Sequence, residues 1–435
     1  MSNAQKHRVI MVSLDAVGRR DMEYMMSLPN FSKYASQGAF CDKVYSVYPS
    51  LTYPAHASIV TGKMPVHHRI VANTKLQPQR KNPDWLYKRK YIHGTTLVDE
   101  AKKKGYRICT LLWPVMGGAN VDYNIPEVLV TRKYQTQVTA CLANGTPKYL
   151  LEVNNKFGKL RNGVAQPALD DFIMACTKYT IEKYDPDMML IHLTDVDTNR
   201  HDFGTTGPEI AKALERHDKR IGELMQWLEA ARPMDNTTLI VLGDHCQVDM
   251  HTIVYINKLF LDKGYLTVKD GKITDYKAIS KSCDGSAYIY VNENFASDMD
   301  FLESLTETLN EMKKDEKLGI EEIYTPDEAI DLGADGECFA MIEGKPGYYF
   351  LNDLGTLTEP VKDAKNHKMF ATHGCLPTKE ENITFFMAYG KGIKKGVRID
   401  SMHLWDEGPT IAKLMGLHLP GADGEVVEEI LDDYS

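Results

Sequence analysis

The sequence predicts an α/β fold: a central, mostly parallel sheet covered by helices, with a smaller inserted α+β cap. Three observations carry that expectation. Short, continuously apolar runs recur along the 435 residues, helix-like segments lie between them, and one stretch from about Met250 to Met369 breaks the rhythm. A strand with one wet face alternates apolar and polar residues. An unbroken apolar run therefore marks a strand buried on both faces, as in a parallel sheet between helix layers.

In chain order the first run is Arg8–Leu14 (RVIMVSL), and a helical segment follows at Ser32–Gly38. Thr96–Lys104 reads as helix and Arg107–Trp113 (RICTLLW) as strand. Asp170–Lys183 is helical, Met188–Leu193 (MMLIHL) a strand, Pro208–Ala231 a long helix and Thr238–Leu242 (TLIVL) a strand. Ala287–Val291 (AYIYV), Met299–Lys313 and Thr384–Tyr389 (TFFMAY) continue as strand, helix and strand. This β-α-β alternation is that of a doubly wound fold. The expected core is 5–249 and 370–435. Residues 250–369 are richer in short β-like runs, charge and glycine, and are expected to be partly core and partly the inserted cap.

Composition bounds the function classes. With 43% hydrophobic and 26% charged residues the chain reads as a soluble globular protein, either two or three domains or one large α/β domain with an insertion. Lys+Arg 51 against Asp+Glu 60 leave a net charge of −9. That disfavours polymeric nucleic acid as a general partner, since non-specific binding to it needs clustered positive charge. A small anionic substrate stays open if the site brings its own cations. No run of 18 apolar residues occurs, so no membrane span is expected. Ser2-Asn3-Ala4 reads as an expression-tag remnant, set aside from fold reasoning, which leaves room for a native leader that has been removed. The eight cysteines are scattered without a CxxC pair, read as reduced thiols and point to the cytoplasm. Nothing in the sequence bears on oligomeric state.

Ligands of open parallel sheets bind beyond the carboxyl ends of the strands. RVIMVSL is followed there by Asp15; MMLIHL by Thr194, Asp195, Asp197 and His201; TLIVL by Gly243, Asp244 and His245. Each residue alone has a plainer reading, as a turn former, a helix N-cap or a surface ion pair. Asp197 and His201 are four apart, which on a helix puts both on one face. The coincidence of three strand ends delivering metal-type ligands argues for a common site. The segment YPSLTYPAHASIVTG (Tyr48–Gly62) is the other unusual feature. Pro is tolerated in a first helical turn, so Thr52 is expected at or just before a helix N-terminus, where N–H groups and the helix dipole favour a phosphate or an alkoxide. An ordinary Thr N-cap is the alternative.

Together these segments resemble the type I phosphodiesterase / nucleotide pyrophosphatase branch of the alkaline phosphatase superfamily. The resemblance runs from Asp15 to the Gly421–Leu431 segment, is weakest over Met250–Met369, and rests on LDAVG, YPSLTYPAHASIVTG, LWPVMGG, DTNRH, GDHC and ATHGC. It implies an alkaline-phosphatase-like core with two zinc sites. One would be Asp197, His201 and His373; the other would be Asp15, Asp244 and His245, with Thr52 as nucleophile bridging toward it. It also implies that Asn73, in HHRIVAN, hydrogen-bonds a phosphoryl oxygen. Tyr53 would stack on a leaving group, although an aromatic there equally fits packing. Ala55 stands where the family has Asn, and Cys246-Gln247 where it has Gly-Met. Neither is a ligand position, so these departures bear on substrate and sub-branch.

The implied activity is a phosphodiesterase or nucleotide pyrophosphatase acting through a phospho-threonine intermediate on a small anionic phosphate or phosphonate ester. The runner-up is a phosphonoacetate hydrolase or phosphomonoesterase on the same scaffold, and a catalytically silent metal-binding protein comes third. A sulfatase is disfavoured, because it needs Cys or Ser in a C/S-x-P-x-R setting where Thr52-Tyr53-Pro54-Ala55-His56 stands. Three His and three Asp favour two Zn2+ over carboxylate-preferring ions, with Mn2+ as second choice. Lys75, Arg80, Lys81, Lys88, Arg89 and Lys90 against the single acid Asp84 read as a solvated loop, with attraction of anionic substrates the alternative.

Overall fold

The computed structural model describes residues 6–365 and 369–432. Ser2-Asn3-Ala4 and the last three residues of the expected core segment 370–435 lie outside the described residues. The strands used below that precede the segment 250–369, the expected cap, are β1 (Arg8–Leu14), β2 (Ala39–Tyr45), β3 (Ile108–Leu111), β4 (Tyr123–Ile125), β5 (Met188–Leu193) and β6 (Thr237–Leu242). Within it lie β7 (Ala278–Cys283), β8 (Ser286–Val291), β9 (Ile320–Tyr324) and β10 (Ala340–Gly344). After it come β11 (Thr384–Gly390), β12 (Val397–Arg398) and β13 (Met402–His403). The central sheet is nine-stranded, in the order β12-β2-β11-β6-β1-β5-β3-β4, with β13 also on β2.

All seven residues of β1 are buried, because helices cover both sides of it. The helices used below are α1 (Pro29–Gln37), α2 (Thr52–Thr61), α3 (Leu97–Lys103), α4 (Ala168–Tyr184), α5 (Asp195–Phe203), α6 (Pro208–Ala231), α7 (Met299–Lys314) and α8 (Glu407–Leu414). Val9 and Met11 pack with Ile59 and Val60 of α2, Leu97 of α3 and Ile411 of α8. Ile10, Val12 and Leu14 pack on the other side with Phe31 of α1, Ile173 of α4 and Leu224 of α6. Alternate side chains thus enter opposite cores, and at about 1.5–3 kcal/mol per fully buried aliphatic chain the strand has no tolerance for a polar run.

β1 pairs in parallel with β5 and β6, aligning Leu14 with Leu193 and Ser13 with Leu242. Their carboxyl ends therefore open on one edge of the sheet. Two expectations need correction. Thr384–Tyr389 is a core strand, but β11 runs antiparallel to both β6 and β2. Ala287–Val291 does not belong to the central sheet; it is most of β8, in a four-stranded antiparallel sheet ordered β7-β8-β10-β9. Its apolarity has the same cause as that of a core strand. Ala287 and Ile289 pack with Phe301 and Leu305 of α7, while Tyr288 packs with Tyr48 and Leu51, so the strand is buried on both faces. That second contact seats the inserted sheet against the segment leading into α2.

Candidate active site and metal centre

The β1 and β6 ends are held together by their backbones. Ala16, after Asp15, has φ +60, a left-handed conformation that costs energy without glycine. Its N–H donates to Asp244 Oδ1 at 3.2 Å, and its carbonyl accepts from the guanidinium of Arg200. Arg200, fully buried on α5, also pairs with Asp21 at 2.6 Å. Past β6, Gly243 gives its N–H to Phe385 O at 3.1 Å. A Cβ there would lie 2.1 Å from both Val17 O and Thr384 Oγ1, so only glycine lets Asp244 and His245 approach β1 so closely.

The β5 end passes into α5. Asp195 is held by Arg216 (2.6 and 2.7 Å) and Arg220 (2.9 Å), a paired carboxylate that anchors α5 to α6 and takes no part in the cluster. One helical turn aligns Asp197 and His201, Oδ1 to Nε2 at 3.4 Å. His373 arrives from the far side of the insertion, and the turn between β7 and β8 fixes it. Gly285 N–H donates to His373 O at 2.8 Å, and Ser286 Oγ donates to Gly374 O at 2.6 Å. Asp284, with φ +66, sets its Oδ2 3.5 Å from His373 Nδ1.

All six residues singled out from the sequence as ligands come together. Ligand atoms of Asp197, His201 and His373 lie within 4.8 Å of one another, and so do those of Asp15, Asp197 and His245. Asp244 Oδ2 is 3.3 Å from His245 Nε2. The expected trio Asp15, Asp244 and His245 is thus joined by Asp197, which touches both groups. Thr52 is the first residue of α2, after Leu51 in extended conformation, and its Oγ1 is 3.0 Å from His245 Nε2. Asn73 accepts the Tyr53 N–H at 3.0 Å through Oδ1, which leaves its amide N–H2 to donate elsewhere. Tyr53 departs from the stacking expectation. Its side chain is 1% exposed and meets Trp85 edge-on at 5.3 Å, so it packs the core and offers no open face to a leaving group.

The charges are out of balance. Burial, then the charges of Asp197 and Asp244, push the Asp15 carboxyl well above the usual carboxylate range. Burial raises Asp244 to about 6. Burial also lowers His245 to about 4 and His373 to about 3, keeping both imidazoles neutral. Burial works against the charge on His201 too, yet Asp197 outweighs it and raises His201 to about 9. Asp15 Oδ1, Asp244 Oδ2 and His373 Nδ1 are buried without a hydrogen-bond partner. Native interiors rarely leave such atoms unpaired, and three carboxylates around two neutral imidazoles and one charged one are a cation-shaped deficit. The donor set therefore fits divalent ions. His201 Nδ1–H donates to Ala371 O at 2.8 Å, which frees Nε2 as a lone-pair donor.

Sequence reasoning missed the residues behind these donors. Gln247 donates from Nε2 to the carbonyl of Asp197 at 3.2 Å and also to its carboxylate. His56 reaches Thr52 O at 2.8 Å and Ser13 Oγ at 2.9 Å. The visible signals were a Gln where a family Met was expected and a His at the fifth position of the Thr52 segment. The basic run is only partly solvated. Arg89 pairs with Asp99 and Lys75 sits over Tyr91, while Lys75, Arg80 and Lys81 line a cavity of about 280 Å³ with Lys272 and Lys281.

Comparison with known proteins places these features in context. The family model described as type I phosphodiesterase / nucleotide pyrophosphatase matches residues 9–376. The chain is 27% identical over 252 residues to human ectonucleotide pyrophosphatase/phosphodiesterase family member 1, covering 54% of this chain and 23% of that protein. It is 22% identical over 274 residues to human family member 5 (61% and 50%), and 24% identical over 273 residues to the venom phosphodiesterase of Macrovipera lebetinus (60% and 28%). It thus spans a quarter to a half of the length of these curated relatives. Among solved structures, human ectonucleotide pyrophosphatase/phosphodiesterase 5 superposes with TM-score 0.68 at 18% identity, over 98% of this chain and all of that one. The murine protein, as an inactive threonine-to-alanine variant in complex with AMP, superposes with TM-score 0.66 at 18% identity and the same coverage. The fold is thus that of the alkaline-phosphatase-like ectonucleotide pyrophosphatases. Among the described residues no helix is long and apolar enough to cross a membrane.

Proposed function

The chain belongs to the type I phosphodiesterase / nucleotide pyrophosphatase family, and from that premise we propose that it is a metal-dependent phosphodiesterase working through a phospho-threonine at Thr52. The observation that carries the reading is the meeting of six metal-type donors, two with orphaned carboxylate oxygens, around a threonine hydroxyl at a helix N-terminus. The AMP complex of an inactive threonine-to-alanine relative supports both the nucleophile and a nucleotide-type substrate.

Asp197, His201 and His373 would hold one divalent cation, and Asp15, Asp244 and His245 a second, with zinc suited to the mixed nitrogen and oxygen donors and manganese second. Bound there, the cations lower the pKa of the Thr52 hydroxyl and offset the phosphoryl charge. The remaining work belongs to the chain. The first turn of α2 presents Thr52 Oγ1 at the positive end of the helix dipole, which favours both the alkoxide and the phosphoryl oxygens. Asn73 donates its amide N–H to a phosphoryl oxygen. Thr52 Oγ1 bonds to phosphorus as the leaving oxygen departs with its electron pair, and water then cleaves the phospho-threonine.

The test pairs metal analysis with a substrate comparison. The purified chain is expected to carry near-stoichiometric divalent ion and to hydrolyse bis-p-nitrophenyl phosphate faster than the monoester. Thr52→Ala should lose about 10³-fold or more in kcat while retaining the ions. Full activity in Thr52→Ala overturns the nucleophile. A chain that takes up no ion overturns the metal reading, and a preference for the monoester moves the activity to phosphomonoester hydrolysis.

A further inference from the structure

We propose that the cavity between the loop 75–83 and the four-stranded sheet is an anion site, built on the ammonium of Lys281 and suited to a phosphate group. The cavity measures about 280 Å³, a little under the usual size of a small-molecule pocket. Five of its lining residues are cationic: Lys75, Arg80, Lys81, Lys272 and Lys281. Among the described residues Asp353 is the one acid in the lining. The cations come from two segments far apart in sequence. Lys75, Arg80 and Lys81 precede α3, whereas Lys272 lies in the hairpin strand Lys272–Tyr276 and Lys281 on β7. A solvated basic loop needs no second segment to bring lysines to it; here folding has assembled the charge.

Lys281 is the decisive residue. It occupies a buried position in β7, 4% exposed, opposite Tyr288 of β8. Among the described residues its Nζ has one acceptor, the neutral Thr74 Oγ1 at 3.0 Å, which leaves two N–H donors for a ligand. Arg80 is held by Asp84 at 3.5 Å, but none of Lys75, Lys81, Lys272 and Lys281 forms an ion pair among the described residues. Buried charges are normally paired. Burial pulls the Lys281 ammonium below the usual lysine range, and an anion against it restores the charge through short, charge-assisted hydrogen bonds. The walls are set before any ligand arrives, since Asn257 Nδ2 donates to Ser280 O at 2.9 Å and to Asn352 O at 3.1 Å. Thr74 follows Asn73, and Asp284 follows β7, so the Lys281–Thr74 bond ties together two segments that each reach the candidate active site. Two sources would present a phosphate group here: a phosphoryl group of the substrate remote from the bond that is cut, or free phosphate. The first rests on the phosphodiesterase reading; the anion site itself does not.

The probe is inorganic phosphate, titrated by calorimetry into the full chain as purified and again after chelation, because phosphate held by bound cations would be lost with them. Binding that survives chelation is expected. Lys281→Met should weaken it about 10–100-fold, and Lys281→Arg should keep it within a few-fold. The double variant Lys81→Glu/Lys272→Glu changes two exposed side chains and decides the matter where Lys281→Met fails to fold. It should weaken phosphate binding about 10-fold or more, by an amount that shrinks at high salt. Binding that is lost on chelation, or that neither variant weakens, overturns the proposal. A substrate pair identifies the source: p-nitrophenyl thymidine 5′-phosphate with and without a 3′-phosphate. A KM about 10-fold lower for the 3′-phosphorylated ester, an advantage that Lys281→Met removes, assigns the site to the substrate. Equal KM values assign it to free phosphate. Hydrolysis of neither ester would sink the phosphodiesterase reading and leave the phosphate titration to decide the anion site.

Discussion

Asp244→Asn should make the metal-free chain more stable at neutral pH while removing one of its ion sites. Asp244 is fully buried, its Oδ2 has no hydrogen-bond partner, and its pKa rises from an ordinary 3.8 to about 6. The folded chain thus holds this proton more tightly than the unfolded chain does. The stability tied to the proton is whole below about pH 4 and drains away as pH climbs through 6. A rise of roughly two pKa units corresponds to about 3 kcal/mol at pH 7. Asn cannot ionise, and it keeps an oxygen to accept the Ala16 N–H while offering an amide N–H toward His245. Chelator-treated parent and Asp244→Asn should therefore have similar melting temperatures near pH 4.5. They should diverge by several degrees by pH 7.5, with the variant the more stable. Added zinc should reverse the order, raising the parent's melting temperature much more than the variant's. Parallel pH profiles for the two metal-free proteins would refute the claim that this carboxyl is buried at the expense of its charge.

Three further outcomes are expected. His373→Ala, although 128 residues beyond His245 in the chain, should lower bound metal from two ions to about one by elemental analysis and abolish diesterase activity. Asn73→Ala should cut kcat about 10²-fold with metal content unchanged, since it removes a phosphoryl donor and no ion ligand. Gly243→Ala, whose Cβ would meet Val17 O and Thr384 Oγ1 at 2.1 Å, should destabilise the chain by about 3 kcal/mol in denaturant melts.

How much of this could be read in the sequence depended on whether a feature is local. β1, β5 and β6 stand almost where their apolar runs do, because burial on both faces writes itself into every residue of a strand. Direction does not, so nothing in TFFMAY marked β11 as antiparallel. β2 escaped because Asp42 and Lys43 interrupt AFCDKVY. AYIYV misled for a physical reason: β8 is as thoroughly buried as a core strand, but between α7 and the Tyr48–Leu51 segment. In the site, Asp15, Asp197, His201, Asp244 and His245 follow three strand ends that the parallel register brings to one edge. His373 and Asn73 were assignable only by resemblance, because loops carry no periodic signal, whereas the flanking prolines placed Thr52 at a helix N-terminus and the resemblance added its role as nucleophile. Gln247 and Asp284 were invisible for a further reason. Each acts on a partner in a distant part of the chain, and such contacts exist only after folding.

The turn between β7 and β8 ties the four-stranded sheet to His373. Gly285 and Ser286 grip the backbone on either side of His373, and Asp284 faces its ring. Excising the insertion to leave a minimal catalytic unit would therefore remove a wall of the centre along with any specificity the insertion confers. Substitutions along the outer strands of this sheet are expected to be tolerated, whereas at the Asp284–Ser286 tip a small repositioning would be read out directly as a change in how firmly a cation is kept.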